Sequence, residues 1–170
     1  MSTEFADVVI CGSGSAGLCA ALWLAKLGVS FRLLEARNGP LEVGQADGVQ
    51  CRTVEIFESF GLADALLEES YHVLELTFWS QTANGRLTRT GRAPDTPAGL
   101  SHQPHVILNQ ARLNALLLEE IARQTPEQRI DYGHHVTSVR VDGGDEAYPA
   151  KVTATSDSGS TTFRAKYVLV

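Results

Sequence analysis

The chain has 170 residues, about one domain at roughly 150 residues per domain, so it can bury one core but cannot hold several modules. Fourteen Lys and Arg against 20 Asp and Glu leave a net charge of -6 with no basic block, which argues against binding to nucleic acid or to an anionic membrane surface. A content of 44% hydrophobic and 20% charged residues is that of a globular protein rather than a disordered one.

No apolar run approaches the roughly 18 residues of a membrane span, and no basic residue precedes Lys26, so neither membrane insertion nor secretion is indicated. Cys11, Cys19 and Cys51 are odd in number, sit in apolar surroundings and lack C-x-x-C spacing, a pattern that fits reduced core thiols better than disulfides or a metal site. A cytoplasmic location is the resulting expectation.

Residues 7–11 (Asp-Val-Val-Ile-Cys) form a short continuous apolar run, as in a strand buried on both faces of a parallel sheet. Glycines follow, and then Ala16, Cys19, Ala20, Trp23, Leu24 and Leu27 recur at helical spacing, with Gly28 placed to end a helix over 15–27. Residues 29–36 return to strand character, so the first 36 residues spell one βαβ unit. Glycines and Pro40 mark a loop over 38–50, followed by helices over 53–60 and 62–69. Strands over 73–80 and 85–92, a Pro- and Gly-containing excursion over 92–104 and the run 106–108 read as a local antiparallel insertion. Asn109 can cap a helix in which Leu113, Leu116, Leu117 and Ile121 make one stripe, with Arg123 near its end and Pro126 beyond. Three or four strands are predicted within 129–141, 151–156 and 161–170, and the sequence stops inside the last of these runs.

Gly12-Ser13-Gly14-Ser15-Ala16-Gly17 is G-x-G-x-x-G set between a predicted strand and a predicted helix. Gly12 permits the tight turn, Gly14 lets backbone approach a pyrophosphate, and Gly17 allows the helix to pack on the strand. The helix start then offers free N–H groups and its positive dipole end to the phosphates. Alone, the motif could be a glycine-rich turn. Glu35, 18 residues after Gly17 at a strand end, is where a carboxylate accepts adenosine ribose hydroxyls and repels a 2′-phosphate, which favours FAD or NAD over NADP. Arg37 is placed either to reach a phosphate or adenine or to stand in solvent.

With Leu33-Leu34-Glu35-Ala36-Arg37, this opening resembles the FAD-binding start of class A flavoprotein aromatic hydroxylases, which share the p-hydroxybenzoate hydroxylase fold. The run from Gly44-Gln45-Ala46-Asp47-Gly48 through Gln50-Cys51-Arg52 to Glu55, and Ile107-Leu108-Asn109-Gln110-Ala111-Arg112, resemble the phenol 2-monooxygenase branch of that family. The resemblance implies an α/β, Rossmann-like (GR2-type) FAD-binding βαβ fold with inserted antiparallel strands, present here in part. It implies Ser15 and Ala16 beside the pyrophosphate, Glu35 with Ala36 and Arg37 at the adenosine half, Val43, Gly44, Gln45, Ala46 and Gly48 along the flavin, and Gln110 on the cofactor. It further implies a phenolic substrate, O2 and NAD(P)H as co-substrates, a C4a-hydroperoxyflavin oxidant and a homodimer in the full-length form.

Asp47 carries two readings. The resemblance makes it the acid that helps deprotonate the phenol, because a phenolate attacks an electrophilic oxygen far better than a phenol does. Its place between Gly44 and Gly48 equally suits a turn-stabilising side chain. Arg52 can pair with Glu55 three residues on, the plain alternative to a phosphate contact. His134 and His135 face opposite sides of a strand and cannot share a metal, while Trp23, Phe57 and Phe60 read as core. The family's later motifs and substrate pocket fall outside these residues, so the chain is expected to be an N-terminal fragment of the FAD-binding domain, inactive alone. The rival readings are a non-catalytic dinucleotide-binding module and another FAD oxidoreductase of the same fold.

Overall fold

A computed structural model describes residues 3–127, 130–141, 144 and 147–170. In chain order the elements begin with β1 (Thr3–Cys11), α1 (Ser15–Lys26) and β2 (Phe31–Leu34). There follow β3 (Gly48–Val49), α2 (Cys51–Phe60), α3 (Ala63–Glu69), β4 (Tyr71–Val73), β5 (Glu75–Gln81), β6 (Leu87–Pro94), β7 (His105–Ile107) and α4 (Gln110–Gln124). The chain continues through β8 (Ile130–Asp131), β9 (His135–Val141), β10 (Ala150–Ser156) and β11 (Gly159–Leu169). It divides into two compact units, one formed by Met1–Glu42 with Asn114–Val170 and the other by Val43–Leu113.

The first unit is a six-stranded sheet in the order β8-β2-β1-β11-β10-β9. β1 lies between two parallel partners, β2 and β11, which is why Val8, Val9 and Ile10 are buried. β1 starts earlier than the apolar run predicts, because residues 3–6 are paired along β11, Thr3 with Thr162 through Ala6 with Ala165. β9, β10 and β11 are antiparallel and close a core of Val9, Leu34, Val152, Ala154, Phe163 and Ala165. The segment 129–141 supplies two of the three or four strands predicted, on opposite edges of the sheet and separated at Gly133, whose φ of 68° breaks the run. Its first residue, Arg129, lies outside the described residues.

The face of α1 also differs from the predicted stripe. Leu18, Ala21, Leu22 and Ala25 are buried, while Trp23 is 43% exposed. With Lys26 its one charged residue, the helix is apolar nearly all round, so periodicity could not single out the packing face. On α4 the predicted stripe is buried as expected, and Asn114 and Glu120 are buried with it.

In the second unit β3, β7 and β4 form one antiparallel sheet and β5 with β6 another, which is the predicted insertion. Val54, Phe57, Phe60 and Leu66 fill its core, with the Phe57 and Phe60 rings edge to face at 6.3 Å. α2 begins at Cys51, two residues before the predicted start, and ends at Gly61 in the left-handed conformation. No helix among the described residues is long and apolar enough to cross a membrane.

Candidate functional site

In the sheet unit the Gly12–Gly17 turn joins β1 to α1 at the end of the central strand. Gly12 has φ 106°, open to glycine but strained for other residues, and its N–H donates to the Leu34 carbonyl at 2.8 Å. A Cβ on Gly17 would sit 2.0 Å from the Gly12 carbonyl oxygen, so no side chain fits there. Gly14 differs. Its φ of -70° suits any residue and a Cβ on it would meet nothing within 4 Å, so its small size serves open space rather than the protein's own packing. A cleft of about 370 Å³ opens there, lined by Ile10, Gly12, Gly14, Ala16 and Leu169 among others. α1 starts at Ser15 without a side-chain cap and without an acidic residue in its first turn, so the positive end of its dipole favours an anion. This is a cradle that fits a pyrophosphate.

Glu35 follows β2 and is 7% exposed. Its Oε2 accepts the Ser13 N–H at 2.8 Å, the Ser13 hydroxyl at 2.7 Å and Arg37 Nη2 at 2.9 Å. Its Oε1 accepts the Arg37 N–H at 2.9 Å and Nε at 3.0 Å. The Arg37 guanidinium, with smaller help from the Arg37 and Ser13 donors, outweighs burial and holds the Glu35 carboxyl down at about 2. The same pairing raises the Arg37 pKa. Five donors saturate a carboxylate, so ribose hydroxyls reach Glu35 only by taking the place of Arg37 side-chain donors. Main-chain bonds fix the segment: Glu35 N–H to the Asp131 carbonyl, His134 N–H to the Glu35 carbonyl and Gly133 N–H to the Arg37 carbonyl. Ala36 between them is exposed.

Sequence reasoning missed two residues here. Ser13, 3% exposed, ties the glycine turn to Glu35; its signal was its place inside the motif. Asn114, 1% exposed, accepts the Ser15 hydroxyl at 2.7 Å; its signal was a carboxamide inside the Leu113–Ile121 stripe.

The other unit holds the loop that includes Val43, Gly44, Gln45, Ala46, Asp47 and Gly48. Backbone anchors it to the start of α4: Gln110 N–H donates to the Ala46 carbonyl at 3.0 Å and Leu108 N–H to the Asp47 carbonyl at 2.8 Å. Asn109 caps that helix through Oδ1 to the Ala111 N–H, and a Cβ on Gly44 would stand 2.5 Å from the same Oδ1. The structure thus brings Gly44, Ala46, Asp47 and Gln110 together. Val43, Gln45, Ala46, Asp47 and Gly48 are exposed, and among the described residues the Asp47 carboxylate takes no hydrogen bond. Arg52 Nη1 lies 3.2 Å from Glu55 Oε2 and is largely exposed, as the ion-pair reading expects.

An FAD binding domain description matches residues 5–169, nearly the whole chain. The chain belongs to the FAD binding domain family. The FAD-dependent monooxygenase terD of Aspergillus terreus is 53% identical over 99% of this chain and 28% of the relative. A 3-hydroxybenzoate 4-monooxygenase of Comamonas testosteroni is 40% identical over 96% of this chain and 27% of the relative. Phenol 2-monooxygenase fsqG of Aspergillus fumigatus is 29% identical over 99% of this chain and 28% of the relative. The p-nitrophenol 4-monooxygenase PnpA of Pseudomonas putida superposes with a TM-score of 0.79 at 25% identity, covering 99% of this chain and 40% of that one. The monooxygenase PieE, solved with FAD and substrate, gives the same TM-score and identity over 99% of this chain and 30% of its own. This FAD binding domain therefore spans less than a third of the length of the curated relatives it matches.

Proposed function

We propose that this FAD binding domain holds the adenosine and pyrophosphate half of FAD and forms part of a monooxygenase that hydroxylates phenolic aromatics with O2 and NAD(P)H. The observation that carries the reading is the cradle: a glycine turn open at Gly14, an uncapped helix start at Ser15 and a buried carboxylate at Glu35. Gly12, Gly14, Ser15, Ala16 and Gly17 receive the pyrophosphate through backbone N–H groups. Glu35 receives the ribose as the Arg37 guanidinium gives way, and Arg37, displaced from both oxygens, is left to face a phosphate. A carboxylate there rejects a 2′-phosphate, which leaves FAD or NAD; the family match favours FAD as the resident nucleotide, with NAD(P)H as co-substrate.

FAD, when bound, would supply the redox chemistry, with two electrons coming from NAD(P)H, one oxygen atom of O2 going to the ring and the other leaving as water. The chain's own contribution is positional and acid–base. The loop carrying Val43, Gly44, Gln45, Ala46 and Gly48, with Gln110, lines the flavin. Asp47 holds the phenolic proton. Support for that role is an exposed carboxylate without a partner among the described residues, on a backbone fixed by Leu108 and Gln110. A turn-stabilising Asp would spend its oxygens on nearby N–H groups.

The reading predicts that the full-length protein purifies yellow and oxidises NAD(P)H in a phenol-dependent way, while this chain alone neither retains FAD tightly nor hydroxylates phenols. The visible spectrum after removal of unbound flavin checks both. A colourless full-length protein, or phenol-dependent turnover by these residues alone, would contradict it.

A further inference from the structure

Asn114 is a buried polar group that the reading above does not use. It projects from α4 to the first residue of α1, where the Ser15 hydroxyl donates to its Oδ1 at 2.7 Å, and its Nδ2 is buried with no acceptor among the described residues. Asn114 is 1% exposed, on a helix whose Leu113, Leu116 and Leu117 are buried as well. A buried amide donor left without an acceptor is unfavourable, and an amide carbonyl tolerates that condition better than an N–H does.

The two ends of a carboxamide have nearly the same shape, so a half-turn about Cβ–Cγ exchanges them within one cavity. In the turned position Nδ2 donates to Ser15 Oγ, and the single hydroxyl proton of Ser15 is released for another acceptor. Ser15 is also the first residue of α1, at the cradle. No proton changes owner; only two orientations change. An anion at the cradle rewards the turned arrangement, since it offers the Ser15 proton the acceptor that Asn114 has given up.

We propose that Asn114 is a positioning residue of the pyrophosphate site, acting through Ser15 by turning its carboxamide to direct the Ser15 hydroxyl onto a phosphate oxygen. The proposal rests on the dinucleotide reading above and adds a residue that reading does not require.

Titration calorimetry of the full chain with ADP and with adenosine separates the two, because adenosine uses Glu35 but carries no phosphate. Asn114→Ala and Ser15→Ala are each expected to weaken ADP by about 3- to 10-fold, the worth of one hydrogen bond, with adenosine unchanged. The double variant should bind ADP no worse than Ser15→Ala, because Asn114 acts only through that hydroxyl. Equal losses for ADP and adenosine, additive losses, or unchanged ADP binding in Asn114→Ala would overturn the proposal. Should Asn114→Ala fail to fold, Ser15→Ala decides: ADP binding equal to that of the unaltered chain overturns it. If the unaltered chain binds no ADP, the dinucleotide reading itself fails and takes this inference with it.

Discussion

The ends of the two units prepare for a ligand in opposite ways. In the sheet unit Ser13, Glu35 and Arg37 spend nearly all their polar groups on one another, and the carboxylate is saturated before any ligand arrives. In the other unit the loop around Asp47 is held through its backbone, and the carboxylate is left open to solvent. The difference separates two tasks. A group that must fix the shape of a turn is built into the fold and is costly to change. On the proposed reading, Asp47 is presented on a fixed backbone to exchange a proton with a substrate, and it contributes little to stability.

Gly17→Ala strikes the built-in side hardest. Its Cβ would overlap the Gly12 carbonyl, and overpacking against rigid backbone should cost several kcal/mol, about 3 or more, read as a lower denaturant midpoint. Glu35→Gln comes next. It removes the charge from five hydrogen bonds and should lower stability by about 1–3 kcal/mol and ADP affinity by about tenfold. Acid titration tests the same network. With its pKa held at about 2 against an ordinary 4.5, Glu35 stabilises the fold fully above pH 4.5, and that contribution drains away as the pH falls toward 2. The loss should be on the order of 2 kcal/mol once the partly exposed guanidinium is allowed for, and it should be absent in Glu35→Gln. Asp47→Asn is the contrasting case: stability within about 0.5 kcal/mol of the unaltered protein, yet phenol hydroxylation by the full-length protein down by roughly a hundredfold. A large drop in stability for Asp47→Asn would erase the distinction between the two ends.

The sequence was most legible where geometry leaves few choices. Gly12 and Gly17 are required by a positive φ and by a 2.0 Å backbone approach, and both requirements are written in the motif. Glu35 was readable from its distance to the motif, but its five bonds were not: Ser13 meets it only after β1 and β2 pair, and Arg37, two residues on, could as well have faced solvent. The buried face of α1 escaped because Trp23 and Leu22 look alike to a periodicity argument on an apolar helix. Asn114 escaped because its partner Ser15 is 99 residues away. The division of residues 129–141 between two sheet edges turned on one glycine, whose conformation a strand pattern does not reveal.

Calorimetric titration of this chain with FAD and with ADP, repeated on Glu35→Gln, tests the central claim most directly. The account predicts one site, affinities for the two ligands within about tenfold because their shared adenosine–pyrophosphate half carries most of the hold, and about tenfold weaker binding of both when Glu35 becomes Gln. Absence of ADP binding, or binding indifferent to Glu35, would contradict it.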